Sequence, residues 1–153
     1  MMHMKLELIP VPVTDIDRAK AFYVDQVGFL VDVDMSPTDG VRIVQLTPPG
    51  SACSILLSVG LPNLVEMTPG SIRGLHLVVN DIEASKAEMV DRGVEMGRID
   101  DVGGGVRYAQ FADPDGNTLT LQEMPWRTST AFWSAVNPAA PAKDASLLSF
   151  FTC

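Results

Sequence analysis

An internal repeat constrains the fold of this chain more than any other feature of the sequence. Residues 40–62 match residues 105–125, with five identical residues at an offset of 65, and residues 13–25 match residues 79–91 at an offset of 66. The identical pairs include Gly40/Gly105, Val41/Val106, Arg42/Arg107, Gln45/Gln110 and Pro49/Pro114, preceded by Val13/Val79, Asp15/Asp81, Ile16/Ile82, Lys20/Lys86, Ala21/Ala87, Val24/Val90 and Asp25/Asp91. A module of roughly 55 residues is therefore duplicated, and we expect any binding site to be built from equivalent positions of the two copies.

Each copy shows the same order of local signals, which is a strand, a helix and then three strands. The apolar runs LELIPVPV and SIRGLHLVV predict the first strand of each copy, and the helices that follow end at Gly28 and Gly93. The later strands are predicted at 29–34, 41–47 and 53–59, and at 94–99, 106–112 and 117–123. The chain divides into a first module (5–59), a linker (60–72), a second module (73–124) and a tail (125–153).

Charge and composition exclude several classes of partner. The chain carries 11 Lys and Arg against 19 Asp and Glu, so its net charge is -8 and its surface repels polyanions such as nucleic acid or an anionic membrane. The start, MMHMKLEL, lacks the long apolar stretch of a secretory signal, and two cysteines do not form a disulfide framework. We therefore expect a cytoplasmic protein with reduced thiols.

The passages VPVTDIDRAKAFY and LVVNDIEASKAEM, together with FADPDGNTLTLQE around a predicted type I turn, resemble the vicinal oxygen chelate superfamily over residues 5–124. Glyoxalase I, extradiol dioxygenases and bleomycin-binding proteins belong to this superfamily. The resemblance implies an α+β fold in which two tandem βαβββ modules form a curved, cup-like mixed sheet with the helices outside. A ligand or a metal ion then sits inside the cup.

The resemblance also indicates where metal ligands would stand, namely on the first and last strands of each module. The last-strand position, four residues after the Gly of the DPDG turn, is Thr120, and the offset of 65 carries it to Ile55 in the first copy. The first-strand positions fall on Leu8 and Gly74. These four residues offer neither an imidazole nor a carboxylate, so we predict that the usual metal site is absent and that no cofactor is needed.

A displaced metal site remains as an alternative. A shift of one residue in strand register exchanges the two faces of a strand, and it would turn Glu7 and Glu123 into the cup. Together with His76 they could then bind one divalent metal ion.

A cup without metal still has a predicted lining. Its apolar wall comprises Leu8, Pro10, Ile55 and Leu57, and its polar wall comprises Gly74, His76, Tyr108, Thr118, Thr120 and Gln122. An apolar wall opposite a few hydrogen-bonding groups suits a small organic molecule. His76 is the one residue of this lining that could transfer protons near neutral pH.

Two functions from different classes follow from these observations. The first is a binding protein of the bleomycin-resistance type that sequesters a small organic molecule. The second is an enzyme, either a lyase, an isomerase or a dioxygenase, that uses a displaced metal or His76 as general acid or base. We also predict a homodimer, with the aromatic tail at 125–153 docked on the cup or on the partner subunit.

Overall fold

The computed structural model of the chain describes residues 1–127, which form two modules of the same construction. The first module contains strand β1 (Leu8–Pro10), helix α1 (Ile16–Ala21) with a π-helical continuation (Phe22–Val27), and strands β2 (Leu30–Met35), β3 (Arg42–Thr47) and β4 (Ser54–Val59). The second module contains strand β5 (Leu75–Val78), helix α2 (Ile82–Asp91), and strands β6 (Asp100–Asp101), β7 (Arg107–Ala112) and β8 (Thr118–Glu123), followed by a 3₁₀ turn (Pro125–Arg127). None of the helices within these residues has the length and apolarity needed to cross a membrane.

Each module forms one open, four-stranded mixed sheet. The strand orders are β1-β4-β3-β2 and β5-β8-β7-β6, and the first strand of each module runs parallel to the last. This arrangement confirms the predicted α+β fold with two tandem βαβββ modules. The strand predicted at 94–99 is wrong, because the pairing there is limited to Asp100–Asp101 opposite Tyr108 and Arg107. Before it, the Gly97 amide donates one hydrogen bond of 2.7 Å to the Gln110 carbonyl.

The change of repeat offset from 66 to 65 has a structural cause. In the first module the helix ends in a π-helical turn, where the Gly28 amide donates to the Tyr23 carbonyl, whereas α2 continues as an α-helix to Asp91. A π-helical turn accommodates one additional residue without changing where the helix points next. The stretch from Ile16 to Gly28 is therefore one residue longer than the equivalent stretch from Ile82 to Gly93, and the two helices still occupy equivalent positions.

One face of each sheet packs into a single core that the two modules share. From β3 and β4 this core takes Val44, Leu46, Ile55 and Leu57, and from β7 and β8 it takes Ala109, Phe111, Leu119 and Leu121. Helix residues from both modules complete it, among them Phe22 and Met89. We call these sides of the sheets the core faces, and we call the opposite sides the cup faces, because they correspond to the cup of the predicted fold.

The duplicated arginines tie each sheet to its own helix. Arg42 binds Asp17 of α1 at 2.8 Å, and Arg107 binds Glu83 of α2 at the same distance. Their second partners are Asp34 and Glu123, at 3.1 and 2.9 Å. A structural role explains why this residue type is present in both copies.

Asp34 should contribute to stability at neutral pH and lose that contribution in acid. Hydrogen bonds from Arg42 and then Lys20 lower the pKa of Asp34 to about 2, below its ordinary value of 3.8. A carboxyl with a depressed pKa stabilises the fold above its unfolded-state pKa, and the contribution disappears as the pH falls from about 4 to about 2. Because a quarter of the Asp34 side chain is exposed, solvent screens the pairs, and we expect Asp34→Asn to cost about 1 kcal/mol at pH 7. Urea unfolding of both proteins at pH 7 and pH 3 measures this difference, and an equal difference at both pH values would contradict it.

The DPDG turn of the second module clamps the two modules together. Asp113 is buried, and its Oδ2 accepts hydrogen bonds from the Tyr23 hydroxyl and the Asn117 side-chain amide, both at 2.8 Å. Asn117 also donates to the Pro12 carbonyl at 2.9 Å, and Thr14 donates to Asp115 at 2.6 Å. Residues of the first module are thereby held by the turn of the second, and the relative position of the two cup faces depends on this cluster.

Candidate functional site

The cup face of the second sheet carries most of the polar residues that the sequence predicts for the site. Strand neighbours alternate between faces, so Thr118, Thr120 and Gln122 lie opposite the core residues Leu119 and Leu121. The same alternation places Tyr108 on this face, and Gly74 and His76 opposite Leu75 and Leu77. His76 is paired with Thr120, and Tyr108 with Gln122.

These side chains form a connected cluster. The rings of His76 and Tyr108 meet edge to face with their centroids 5.8 Å apart, and Gln122 Nε2 donates to the Tyr108 hydroxyl at 3.2 Å. The amide of Gly74 donates to Thr118 Oγ1 at 2.8 Å. The cluster offers a ring edge, a hydroxyl and an amide to a molecule that lies on this face.

The histidine tautomer follows from its backbone contact. His76 Nδ1 lies 2.5 Å from the carbonyl oxygen of Gly74, and because a carbonyl only accepts, Nδ1 must be the protonated nitrogen. In the neutral ring, Nε2 is then the nitrogen that can accept a proton. The His76 side chain is exposed, so this nitrogen is reachable from solvent.

The strand register of the first sheet changes which residues form the predicted apolar wall. Gln45 pairs with Leu56, whereas the equivalent Gln110 pairs with Thr120, so the offset after this hairpin is 64 and not 65. The first hairpin contains one additional residue, and a shift of one residue exchanges the faces of the strand that follows. Ile55 and Leu57 therefore lie in the core, and the prediction that they line the cup is wrong.

Leu56 takes their place on the cup face of the first sheet. It packs with Ile43 and Leu61, and Leu8 and Leu64 lie against this cluster. Because Leu61 and Leu64 belong to the linker, the linker folds back over the sheet.

A pocket of about 230 Å³ lies between this face and the linker. Its lining includes Pro10 and Leu56 from the sheet and Leu64, Met67 and Pro69 from the linker. Sequence reasoning treated the linker only as a connection, although the spacing of Leu61, Leu64 and Met67 was a signal of apolar packing. The apolar wall of the site is therefore built by Leu8, Pro10 and Leu56 together with the linker.

The residues at the expected metal positions do not fit a metal ion. With the corrected register these positions are Leu8, Leu56, Gly74 and Thr120, and the one side-chain oxygen among them is the neutral hydroxyl of Thr120. Within residues 1–127, no three His, Cys, Asp or Glu side chains are grouped so that they could bind a metal ion. The donor set of the superfamily's metal-dependent members is not reproduced at this site.

The displaced alternative does not assemble either. Glu123 points to the core face, where Oε1 binds Arg107 and Oε2 accepts the Ile82 amide at 2.8 Å, whereas His76 lies on the cup face. Glu7 belongs to the first module and accepts a hydrogen bond of 3.3 Å from Gln45. The predicted trio of Glu7, His76 and Glu123 is therefore corrected, since the strand register keeps Glu123 on the opposite face. The docking predicted for the tail falls mainly on residues 128–153, which lie outside the described part of the chain.

The comparisons with known proteins agree with this fold. The model of the Glyoxalase/Bleomycin resistance protein/Dioxygenase superfamily matches residues 5–121, and the chain belongs to this superfamily. Among curated proteins no match is found.

Solved structures include relatives with substantial sequence identity. The antibiotic binding protein TnmS3 from Streptomyces sp. CB03234 is 38% identical, with a TM-score of 0.70 over 81% of this chain and 98% of TnmS3. A glyoxalase/bleomycin resistance protein from the same organism is 39% identical, with a TM-score of 0.65 over 76% of this chain and 98% of its own. A superfamily member from Sphaerobacter thermophilus DSM 20745 is 31% identical, with a TM-score of 0.69 over 80% of this chain and 99% of its own.

Proposed function

We propose that this protein binds a small organic molecule on its cup faces without a metal ion, as an antibiotic-sequestering protein would. The observation that carries this proposal is the chemistry of the four expected metal positions, where Leu8, Leu56, Gly74 and Thr120 stand. The similarity to TnmS3, whose description is an antibiotic binding protein, supports the same reading. What the cup faces do offer is apolar surface and hydrogen bonds, which are the components of a small-molecule site.

The two cup faces contribute different interactions. The first provides the apolar pocket bounded by Pro10, Leu56 and the linker, and the second provides the His76, Tyr108 and Gln122 cluster. A ligand with an aromatic or polycyclic body and a few hydrogen-bonding substituents matches both. The acidic surface of the chain, with its net charge of -8, favours the approach of neutral or cationic molecules over anions.

We further propose that the working form is a homodimer. Both core faces are used in the shared core, while the contacts described within residues 1–127 on the first cup face come from the first module and the linker, and those on the second cup face come from the second module. A second copy that places its cup face against the first would enclose a ligand between an apolar and a polar wall. Light scattering should therefore give twice the mass of one chain, and a monomer at all concentrations would contradict this arrangement.

The binding function is tested by metal analysis and a ligand screen on the same preparation. Protein purified without chelators should contain far less than one metal ion per chain, and stoichiometric Zn, Ni, Mn or Fe would overturn the metal-free proposal. A thermal-shift screen of aromatic and polycyclic antibiotics, bleomycin included, should then identify a stabilising compound. Tyr108→Ala should weaken the binding of this compound at least tenfold, as measured by calorimetry, because the substitution removes both the aromatic ring and the hydroxyl group. Val90→Ala, on the exposed surface of α2, is the control and should bind as tightly as wild type.

Catalysis by His76 is a second candidate, and the fixed tautomer favours it. Because Gly74 holds the Nδ1 proton, Nε2 could act as a base toward a ligand on the cup face. With a ligand from the screen, chromatography shows whether it is converted. Turnover lost in His76→Ala with binding retained would establish an enzyme, whereas an unchanged ligand after prolonged incubation supports sequestration.

A further inference from the structure

A second pocket lies between the modules on the core side of the sheets, away from the cup faces. Its volume is about 240 Å³. Phe29 and Pro48 line it from the first module, and Leu77, Met89 and Leu121 line it from the second. Leu77 and Leu121 are directed to the core face, so this pocket is separate from the proposed ligand site on the cup.

The internal repeat shows what occupies the equivalent place in the other half of the molecule. The offset of 66 matches Met89 with Tyr23, and the offset of 65 matches Pro48 with Asp113. Tyr23 is 1% exposed, its ring lies 5.4 Å from that of Phe29, and its hydroxyl donates to Asp113 at 2.8 Å. The Tyr23 ring and its hydrogen bond to Asp113 therefore fill the space between the helix of the first module and the hairpin of the second module.

The equivalent contact, between the helix of the second module and the hairpin of the first module, lacks both the aromatic ring and the hydrogen-bond acceptor. Met89 has no ring, and the side chain of Pro48 has no acceptor for a hydroxyl. Glu88 also replaces Phe22, whose ring packs 5.2 Å from that of Tyr23. The pocket beside Met89 is therefore the space that an aromatic ring fills in the first half.

We propose that this pocket binds a small neutral aromatic molecule of the phenol class, whose ring takes the position that Tyr23 takes in the other half. The walls named above are apolar, and an apolar cavity of about 150 Å³ is large enough for benzene. Asn80, Ser85, Glu88 and Arg92 at the mouth provide polar atoms for a hydroxyl group. Because Arg92 and Glu88 are paired with each other, the mouth favours neither a cation nor an anion.

The test uses 4-fluorophenol as the probe, and fluorine NMR monitors its binding during titration with the full chain. The wild type should show saturable binding. Met89→Tyr copies the first-module residue into the second module, and the new ring should reduce the affinity at least tenfold. Glu88→Phe, at an exposed position of the helix, should also reduce the affinity for 4-fluorophenol, because the new ring closes the mouth of the pocket. This variant keeps the test valid if Met89→Tyr fails to fold.

The cup-face variant Tyr108→Ala separates this pocket from the proposed ligand site. It should leave 4-fluorophenol binding unchanged, whatever its effect on the antibiotic screen. Absence of saturable binding, equal affinity in wild type, Met89→Tyr and Glu88→Phe, or a loss confined to Tyr108→Ala would each overturn the proposal.

Discussion

Asp113→Ala should destabilise the protein by about 4 kcal/mol, because it removes the acceptor of four hydrogen bonds from a buried site. Asp113 is 5% exposed, and its carboxylate accepts from the Tyr23 hydroxyl, from both the backbone and side-chain amides of Asn117, and from the Asp115 amide. A loss of this size is a large share of the 5–15 kcal/mol that typically stabilises a small domain. Urea unfolding followed by circular dichroism measures it.

Two further variants show whether the loss comes from the clamp itself. Tyr23→Phe keeps the ring and removes one donor, so it should cost only about 1–2 kcal/mol. Burial, followed by the nearby charge of Asp113, raises the pKa of Tyr23, so the phenol stays protonated and remains a donor. Asp39→Ala removes a carboxylate from an exposed loop and should change stability by less than about 0.5 kcal/mol. If Asp113→Ala were as mild as Asp39→Ala, the turn could not be what joins the modules.

The sequence predicted the architecture because duplication and element order are visible without coordinates. The DPDG turn was equally visible, but only as a local turn. Its bonds to Tyr23 and Pro12 join residues about 90 and 105 positions apart, and nothing local in the sequence specifies such partners. The first copy has Pro48, Pro49, Gly50 and Ser51 at the place of the DPDG turn, without its two aspartates, and this difference was a hint that the aspartates have a role beyond the turn.

The strand faces of the candidate site residues agree with the prediction where the repeat offset holds and differ from it where the offset changes, while the binding role of these residues stays a prediction. The cup-face positions of Leu8, Pro10, His76, Thr120 and Gln122 agree with the alternation read from the sequence. Ile55 and Leu57 failed because one additional hairpin residue reverses the faces of β4, and two apolar neighbours in a row, such as Leu56 and Leu57, conceal such a reversal. Strand pattern alone cannot locate the change when both faces of a strand are apolar.

The two modules of the duplicated fold carry chemically different residues at equivalent positions on both sides of their sheets. On the cup faces, Leu56 of the first module stands where the second module has Thr120, so an apolar side chain replaces a hydroxyl at equivalent positions. On the core side, the first helix fills its space with Tyr23, whereas the second helix leaves a pocket beside Met89. Such divergence gives a two-fold framework two unlike environments, which suits the recognition of an asymmetric molecule.

Gly70→Ala should destabilise the protein by about 3–4 kcal/mol, because this linker glycine combines a left-handed backbone with a close backbone neighbour. Gly70 has a φ of +77°, and a Cβ atom there would lie 2.1 Å from the Asp115 carbonyl oxygen, which the clamp holds in place. The left-handed backbone costs an alanine about 1–2 kcal/mol, and the backbone clash adds the cost of an overpacked core, about 1–3 kcal/mol.

Gly50→Ala is the matched control, because Gly50 has a nearly equal φ of +80° but nothing within 4 Å of the added Cβ. It should cost only the backbone strain, about 1–2 kcal/mol, and the difference between the two variants in urea unfolding isolates the contact with Asp115. The Gly70 amide also donates to the Pro12 carbonyl at 3.1 Å, so the substitution loosens the end of the linker that borders the apolar pocket. Gly70→Ala should therefore weaken the antibiotic identified by the screen more than Gly50→Ala does, and equal stability and affinity of the two variants would show that the linker is not held by the clamp.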